Sequence, residues 1–230
     1  MRLEQRYQQQ QRGFSLIELS LVMLLSSVIV AAIYQTFHTQ QKTYQQQNVL
    51  ALMQQNVRAS TFIITRELRS ARYDPRQSGN FGFVTRFNAP HDTFTVNYAV
   101  DTEIIAFTVD ADRDGTVDAT PAELIAYRFN RTARSLERYN AGNGWQALAE
   151  DIDGVHFAYY DNAGVATTNP GLMSYVEVSL VIRSGTQEVG YTNTHAYTNK
   201  GGQNICPYCA AEPHHRRQLW STTVQIRNPV

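Results

Sequence analysis

The sequence predicts an α+β protein in which one long N-terminal helix packs on an antiparallel β-sheet headgroup. Three observations lead to this prediction. Residues 14–33 are nearly all apolar, no Gly or Pro occurs between Phe14 and Asp74, and short β-rich runs alternate with turn residues after Pro75. An apolar run of this length can span a membrane as a helix, and a stretch without helix breakers can continue it. Alternating β-rich runs and turns are typical of antiparallel sheets.

The composition excludes some classes of function. The chain has 230 residues, with 20 Lys and Arg against 20 Asp and Glu, so its formal net charge is zero. Dedicated nucleic-acid-binding proteins carry excess positive charge, and nucleic acid is therefore not an expected partner. No Ser/His/Asp order and no phosphate-binding glycine loop is evident in the sequence. We expect no enzymatic activity and no required cofactor.

The first 13 residues form a basic segment in front of the apolar run. They carry Arg2, Arg6 and Arg12 against one acidic residue, and such basic residues remain on the cytoplasmic side of a membrane. As a helix, residues 14–33 would rise about 30 Å, the thickness of the hydrocarbon core. The sequence predicts a single-pass protein with its N-terminus inside and its remainder outside.

Glu18 is the one ionisable residue in the apolar run. A lone carboxylate in lipid is costly unless it meets a positive charge. Cleavage after Gly13 would create such a charge, the α-amine of Phe14 in the same chain or in a neighbouring subunit. The alternative is a plain signal anchor whose Glu18 reaches the membrane surface.

The residues around Glu18 decide between these interpretations. The stretch RGFSLIEL, residues 12–19, resembles the class III leader of type IV prepilins and type II secretion pseudopilins, in which Gly precedes Phe and Glu is the fifth mature residue. The resemblance implies a leader of residues 1–13, cut by a prepilin peptidase between Gly13 and Phe14. It also implies N-methylation of Phe14 and a role for Glu18 in filament assembly.

The helix is expected to continue to about Tyr73. Residues 34–73 would form its periplasmic, amphipathic half, and Asp74-Pro75 would end it, since proline restricts the preceding residue and cannot donate a hydrogen bond. Apolar positions recur there at spacings of three and four: Val49, Met53, Val57, Ser60, Ile64, Leu68 and Ala71. This stripe is expected to pack on the sheet.

Residues 74–230 are predicted to form the antiparallel β headgroup. The predicted strands are Phe81 to Phe87, Thr93 to Tyr98, Ile104 to Val109, Leu124 to Asn130, Val155 to Tyr160, Tyr175 to Arg183 and Thr222 to Arg227. The sixth of them alternates apolar and polar residues, which predicts one buried and one solvated face. His91, His156 and His195 are expected at the surface or in turns.

The order of these segments is similar to that in PilW-type minor pilins and, more loosely, to that in the J pseudopilin of type II secretion. The stretches that carry the similarity are RELRSARYDP, FTVDADRDGTVD, LAEDIDGVHFAYYD and TTVQIRN. The resemblance implies a minor pilin that helps to assemble, initiate or cap a type IV pilus. A type II secretion pseudopilin, or a tip-displayed adhesin or binding module that uses residues 185–217, remains an alternative.

The resemblance also implies partners and a location. The partners would be other minor pilins and the major pilin through the N-terminal helix, the prepilin peptidase and the inner-membrane assembly platform. The chain would lie in the bacterial inner membrane with its headgroup in the periplasm, and then in a pilus or pseudopilus at the cell surface.

An acidic loop after the third predicted strand is a candidate calcium site. Its candidate ligands are Asp110, Asp112, Asp114, Thr116 and Asp118. The four aspartates fall at positions one, three, five and nine of a calcium-binding loop, and Gly115 provides the sharp turn at position six. Position twelve, which should be a bidentate Glu, is Pro121, and Glu123 follows two residues later. An acidic hairpin connection without an ion is an open alternative.

Cys206 and Cys209 are the two cysteines of the chain and form a C-P-Y-C motif. The same spacing occurs in thioredoxin-like redox motifs, and His214 and His215 are candidate zinc partners. Redox motifs start a helix after a strand, whereas the loop TNKGGQNI precedes this one. A local disulfide that pins the loop is therefore preferred over zinc binding or redox chemistry in an exported domain.

Overall fold

A single helix, α1, spans Leu16–Ser70 in the computed structural model, which describes residues 13–84, 102–118, 122–140 and 142–228. The chain divides into two compact units, residues 1–48 and residues 49–230. In the first unit, every residue from 13 to 45 is exposed. The helix ends three residues before the predicted Tyr73. Arg72 adopts a left-handed conformation with φ 63°, and its N–H donates to the Thr108 carbonyl at 3.2 Å instead of continuing the helix.

Seven strands form two antiparallel sheets in the part of the headgroup that the structure describes. The first sheet has the order β1 (Ile104–Thr108), β2 (Leu124–Asn130), β3 (Ser135–Asn140) and β4 (Gly144–Ala149). The second sheet has the order β5 (Ile152–Tyr160), β6 (Tyr175–Arg183) and β7 (Arg217–Gln225). Within each sheet, each strand pairs with the next along the chain, and a long connection, residues 184–216, joins β6 to β7.

The predicted strands agree with most of this topology. Strands β1, β2 and β6 lie where the sequence places them, β5 starts three residues earlier, at Ile152, and β7 starts at Arg217 and ends at Gln225. The run from Phe81 contributes one bridge, between Phe83 and Phe107. Its end at 85–87 and the run from Thr93 lie outside the described residues. Strands β3 and β4 were not predicted, because charged residues interrupt the apolar pattern of β3 and Gly, Gln and Ala dominate β4.

The predicted stripe on α1 packs into the core, as expected. Met53, Val57, Ile64, Leu68 and Ala71 are each at most 4% exposed, and Ser60 is 1% exposed. These apolar residues form one cluster with both sheets, through Phe107, Tyr127, Leu136, Phe157, Val178 and Leu180 among others. Helix and sheets therefore share one large hydrophobic cluster in the second unit, and the α+β prediction is confirmed.

Strand β6 differs from its prediction because both of its faces are buried. Val178 faces the core with α1, while Glu177, Ser179 and Val181 on the other face are also 0% exposed. Residues 184–216, which we call the cover segment, contribute Tyr197, Ile205, Cys206 and Cys209 to a second apolar cluster with Val181. The alternation of polar residues along β6 thus marks a covered face and not a solvated one.

Candidate functional site

The start of α1 is an exposed apolar terminus that carries one carboxylate. Gly13 and Phe14 precede the helix, and the Phe14 side chain is 86% exposed. The Ser15 hydroxyl accepts from the Ile17 amide at 3.4 Å, and the Glu18 carboxylate accepts from the Ser15 amide at 3.5 Å. This arrangement is similar to a capping box, although the Ser15 hydroxyl accepts from the second helical amide and not the third. The sequence signal of this cap is Ser15 followed three residues later by Glu18, a pattern that the sequence prediction misses.

The capping geometry places Glu18 beside the bond that the leader resemblance predicts to be cut. Its carboxylate bonds to the amide of Ser15, one residue after Phe14. The first turn of a helix carries partial positive charge, so a carboxylate is stabilised there. A new α-amine on Phe14 would bring a full positive charge to the same end of the helix. Glu18 is therefore positioned to offset that charge.

The side chains that follow this terminus have the character of a membrane span. Within the described residues, α1 is the helix whose length and composition suffice to cross a membrane, and no part of its most apolar 18-residue window is buried in the molecule. Leu16, Ile17, Met23 and Val30 are among the large apolar side chains exposed there, at 84%, 76%, 65% and 64%. A stretch of this length and exposure favours lipid or other apolar helices as its surroundings.

The acidic loop between β1 and β2 brings together a different set of carboxylates from the predicted one. Oxygen atoms of Asp110, Asp112 and Glu123 lie within 4.8 Å of one another, and Asp110 and Glu123 are buried. The hairpin accounts for this, since β1 and β2 pair Thr108 with Leu124 and the next residues continue side by side. Glu123, which the loop spacing placed two residues late, therefore lies opposite Val109 and beside Asp110, and the Val109 amide donates to the Glu123 carbonyl at 2.9 Å.

The remaining predicted ligands lie on the exposed side of the loop. Asp112, Asp114 and Asp118 form a second group within 4.8 Å, and all three are exposed. Thr116 donates its hydroxyl and its amide to Asp114, each at 2.7 Å. The hydrogen bond from the Thr116 hydroxyl, and to a lesser extent that from its amide, lowers the pKa of Asp114 from its ordinary value. Thr116 is thus occupied with Asp114, and Pro121 lies outside the described residues.

The two cysteines lie in the cover segment and are joined by a disulfide, with their Cα atoms 5.4 Å apart. Both are buried, and neither histidine that was considered as a zinc partner lies with them in a metal-like group within the described ranges. The Nδ1 atom of His214 lies 2.7 Å from the Tyr191 carbonyl, and that of His215 lies 2.7 Å from the Ser184 carbonyl. Both rings are therefore held by the cover segment itself.

Ion pairs link the two sheets to each other and to the cover segment. The Asp153 carboxylate accepts from Arg134 and Arg217, each at 2.6 Å, and the Asp153 and Arg217 side chains are 3% and 1% exposed. Glu212, in the cover segment, pairs with Arg183 at 2.8 Å and also with Arg134. Glu212 thus attaches the cover segment to β6 through Arg183 and to the turn between β2 and β3 through Arg134.

Glu177 and His156 are the other polar groups under the cover segment. The Glu177 carboxylate accepts from the Tyr160 hydroxyl at 2.7 Å and from the Lys200 amide at 3.1 Å. Burial alone would raise the pKa of Glu177, but these hydrogen bonds and that of Ser221 outweigh burial and lower it. Burial is the main cause that raises the pKa of Tyr160 to about 12, and the hydrogen bond to Glu177 adds to it.

The three predicted surface histidines have different outcomes. His156 on β5 is 7% exposed, so its predicted surface position is wrong. His195 is exposed as expected, and His91 lies outside the described residues.

A long helix with an exposed apolar first half, packed through its second half on an antiparallel β headgroup, defines a type IV pilin-like protein. Residues 8–34 match the prokaryotic N-terminal methylation motif. Residues 45–198 match the family described as prepilin peptidase-dependent protein B, and the chain belongs to this family. Its members are structural proteins and not enzymes, in agreement with the expectation from the sequence.

Comparison with individual proteins adds a structural likeness. A type IV-like pilin from Thermus thermophilus aligns with 76% of this chain and 97% of its own, at 12% sequence identity and a TM-score of 0.45. No protein with a curated description matches the chain at a significant level. The similarity to PilW-type minor pilins in particular, a role in adhesion and a place in type II secretion stay predictions.

Proposed function

We propose that this chain is a minor pilin that takes part in assembly, initiation or capping of a type IV pilus. In this proposal a prepilin peptidase cuts between Gly13 and Phe14 and methylates the Phe14 amine. Residues 14–33 then anchor the protein in the inner membrane with its headgroup in the periplasm. The observation that carries the proposal is the position of Glu18, capped onto the Ser15 amide at the exposed, apolar start of α1.

Electrostatics and burial support a role for this terminus in packing with other subunits. A carboxylate within an apolar helix surface is costly in lipid until it meets a cation. In a filament, the cation would be the α-amine of Phe14 from the same or a neighbouring pilin. The exposed apolar side chains around it, such as Leu16 and Ile17, would pack against neighbouring helices once the subunit leaves the membrane. The partners are therefore other minor pilins and the major pilin, with the assembly platform acting before incorporation.

The headgroup supports the structural part of the proposal. Its core joins α1 to both sheets, and the ion pairs of Glu212 with Arg183 and Arg134 hold the cover segment on them. A headgroup held in this way presents a fixed surface to neighbouring subunits. No described feature favours the pseudopilin over the pilus subunit, since the same N-terminus would serve both.

Mass spectrometry of the protein extracted from membranes tests the processing step. In wild-type cells we expect the mature chain to begin with N-methylated Phe14, and in cells without the prepilin peptidase we expect the chain to keep Met1. An intact Met1 terminus in wild-type cells would contradict the proposal. Deletion of the gene should also lower the number of surface pili while type II secretion remains unchanged. The reverse pattern would identify a pseudopilin instead.

A further inference from the structure

We propose that the β1–β2 loop binds a calcium ion through the carboxylates of Asp110, Asp112 and Glu123. This set differs from the sequence-based one, because Glu123 replaces the more exposed Asp114 and Asp118 as a principal ligand. The inference concerns the headgroup and does not depend on how the N-terminus is processed or on which filament the chain joins.

The observation that points to a ligand is the buried, unpartnered side chain of Asp110. Asp110 is 0% exposed, and neither carboxylate oxygen has a hydrogen-bond partner. Within the described residues, no arginine or lysine forms an ion pair with Asp110, Asp112 or Glu123. Burying an ionised carboxylate without a partner costs several kcal/mol. A bound cation would remove this cost.

The geometry of the three carboxylates suits calcium. Calcium binds oxygen ligands at about 2.3–2.6 Å, so ligands on opposite sides of the ion lie about 4.6–5.2 Å apart. The oxygen atoms of the three carboxylates lie within 4.8 Å of one another, close enough for all three to bind one ion. All are oxygen donors, and zinc sites in contrast use mainly nitrogen and sulfur. Irregular loops also suit calcium better than magnesium, which requires a near-ideal octahedron.

The backbone around the loop supports this arrangement. Glu123 is held on both oxygens, because the Ala111 amide donates to Oε1 at 3.2 Å and the Asp118 amide donates to Oε2 at 2.8 Å. Asp112 accepts from the Asp114 amide at 3.0 Å, which directs its carboxylate within the loop. These are single hydrogen bonds for each oxygen, so lone pairs remain for a metal. The ligands are thus partly positioned before an ion binds.

The ion would connect the hairpin to the end of α1. The Asp110 amide donates to the Tyr73 carbonyl at 2.8 Å, and Asn80 donates its side-chain amide to the Gly115 carbonyl at 3.1 Å. These two contacts attach the loop to the chain that leaves the helix. Calcium on Asp110 would therefore stabilise the junction between α1 and the first sheet, and its role would be structural.

Calcium titration of the full-length protein in detergent micelles, after treatment with a chelator, tests the proposal. Trp145 on β4 and Trp220 on β7 are the two tryptophans, so thermal unfolding followed by tryptophan fluorescence reports on the headgroup. Calcium at about 10 to 100 times Kd should raise the Tm by about 3–10 °C. Exported modules bind calcium at about 0.1–1 mM, so the titration should extend to about 10 mM.

Two ligand variants and one control complete this test. Asp110→Asn should abolish the calcium-dependent rise without lowering the Tm of the calcium-free protein, because a neutral amide removes the buried charge. Asp112→Asn, at an exposed position, should abolish most of the rise in a protein that folds normally. Glu150→Gln, an exposed carboxylate outside the group, should leave the rise unchanged. Isothermal titration calorimetry should detect one site in the wild type and in the control.

Several results would overturn the proposal. The absence of both a Tm rise and binding heat in the wild type at 10 mM calcium would do so. So would a calcium-dependent rise that persists in both Asp110→Asn and Asp112→Asn. An equal rise with magnesium or with sodium chloride at matched ionic strength would show that the acidic loop is only screened.

Discussion

At the scale of single residues, Glu18 and Asp110 show that the role of a carboxylate depends on the groups that surround it. The sequence places Glu18 in an apolar run and thereby predicts a partner for it. The structure adds that its carboxylate bonds to the Ser15 amide and caps the helix. Asp110 belongs to a calcium-like pattern in the sequence, and the structure shows that its carboxylate is buried without a hydrogen-bond partner. In both residues the chemistry depends on the groups within a few ångströms.

Replacement of Glu18 by Ala tests whether this carboxylate does more than cap α1. We expect insertion into the membrane to be normal and the amount in purified pili to fall at least about tenfold, because an α-amine would lose its partner in an apolar environment. Ser15→Ala is the matched control, since it weakens the cap by about 1 kcal/mol and keeps the carboxylate. Immunoblots of membrane and sheared-pilus fractions measure both. An equal loss of protein from the pili in the two variants would show that Glu18 acts only as a capping residue.

At the scale of elements, α1 combines two surfaces with different surroundings. Residues 13–45 are exposed on all sides, while the stripe from Met53 to Ala71 is buried in the headgroup core. The spacing of apolar residues predicted the stripe correctly, because a period of 3.6 places them on one face. The same reasoning missed β3, where Glu137 pairs with Arg128 and Arg138 pairs with Glu67 on the helix. Charged strands of this kind are stabilised by partners distant in sequence.

Truncation of Leu68 tests the importance of the stripe. Leu68 is 0% exposed in the core, and Leu68→Ala should lower the free energy of unfolding by about 2–5 kcal/mol through lost burial and a cavity. Phe62→Ala is the control, because Phe62 lies on the same helix but is 64% exposed, and it should change the stability by less than about 0.5 kcal/mol. Urea unfolding in detergent, followed by tryptophan fluorescence, measures both. Similar effects of the two variants would contradict the assignment of the stripe to the core.

At the scale of the headgroup as a whole, the cover segment converts an open sheet into a layer with two buried faces. It places an apolar cluster on Val181 and supplies the backbone amide of Lys200 to buried Glu177. The close approach requires glycine at one position of β5. A Cβ atom at Gly154 would lie 2.2 Å from the Ile205 carbonyl oxygen, which is a backbone atom that cannot move aside easily. Gly154 is therefore a contact point between segment and sheet.

Replacement of Gly154 by Ala should loosen the cover segment. We expect a loss of about 1–3 kcal/mol of stability from the steric conflict, and faster proteolysis within the segment. Lys42 and Lys200 are the two lysines of the chain, so endoproteinase Lys-C reports on the segment through the fragments 43–200 and 201–230. Gly82→Ala is the control, since nothing lies within 4 Å of its added Cβ. An unchanged cleavage rate at Lys200 in Gly154→Ala would show that the segment does not depend on this contact.

The sequence by itself determined the features that depend on local pattern and composition. These are the long helix, its apolar first half, the stripe, four of the strands and the leader motif around Gly13, since helix breakers, periodicity and short motifs are local properties. Only the tertiary structure decided the two-sheet arrangement, the second buried face of β6 and the grouping of Glu123 with Asp110. Each of these depends on pairing between residues far apart in sequence or on a long irregular segment, and no local pattern encodes which surface such a segment will cover.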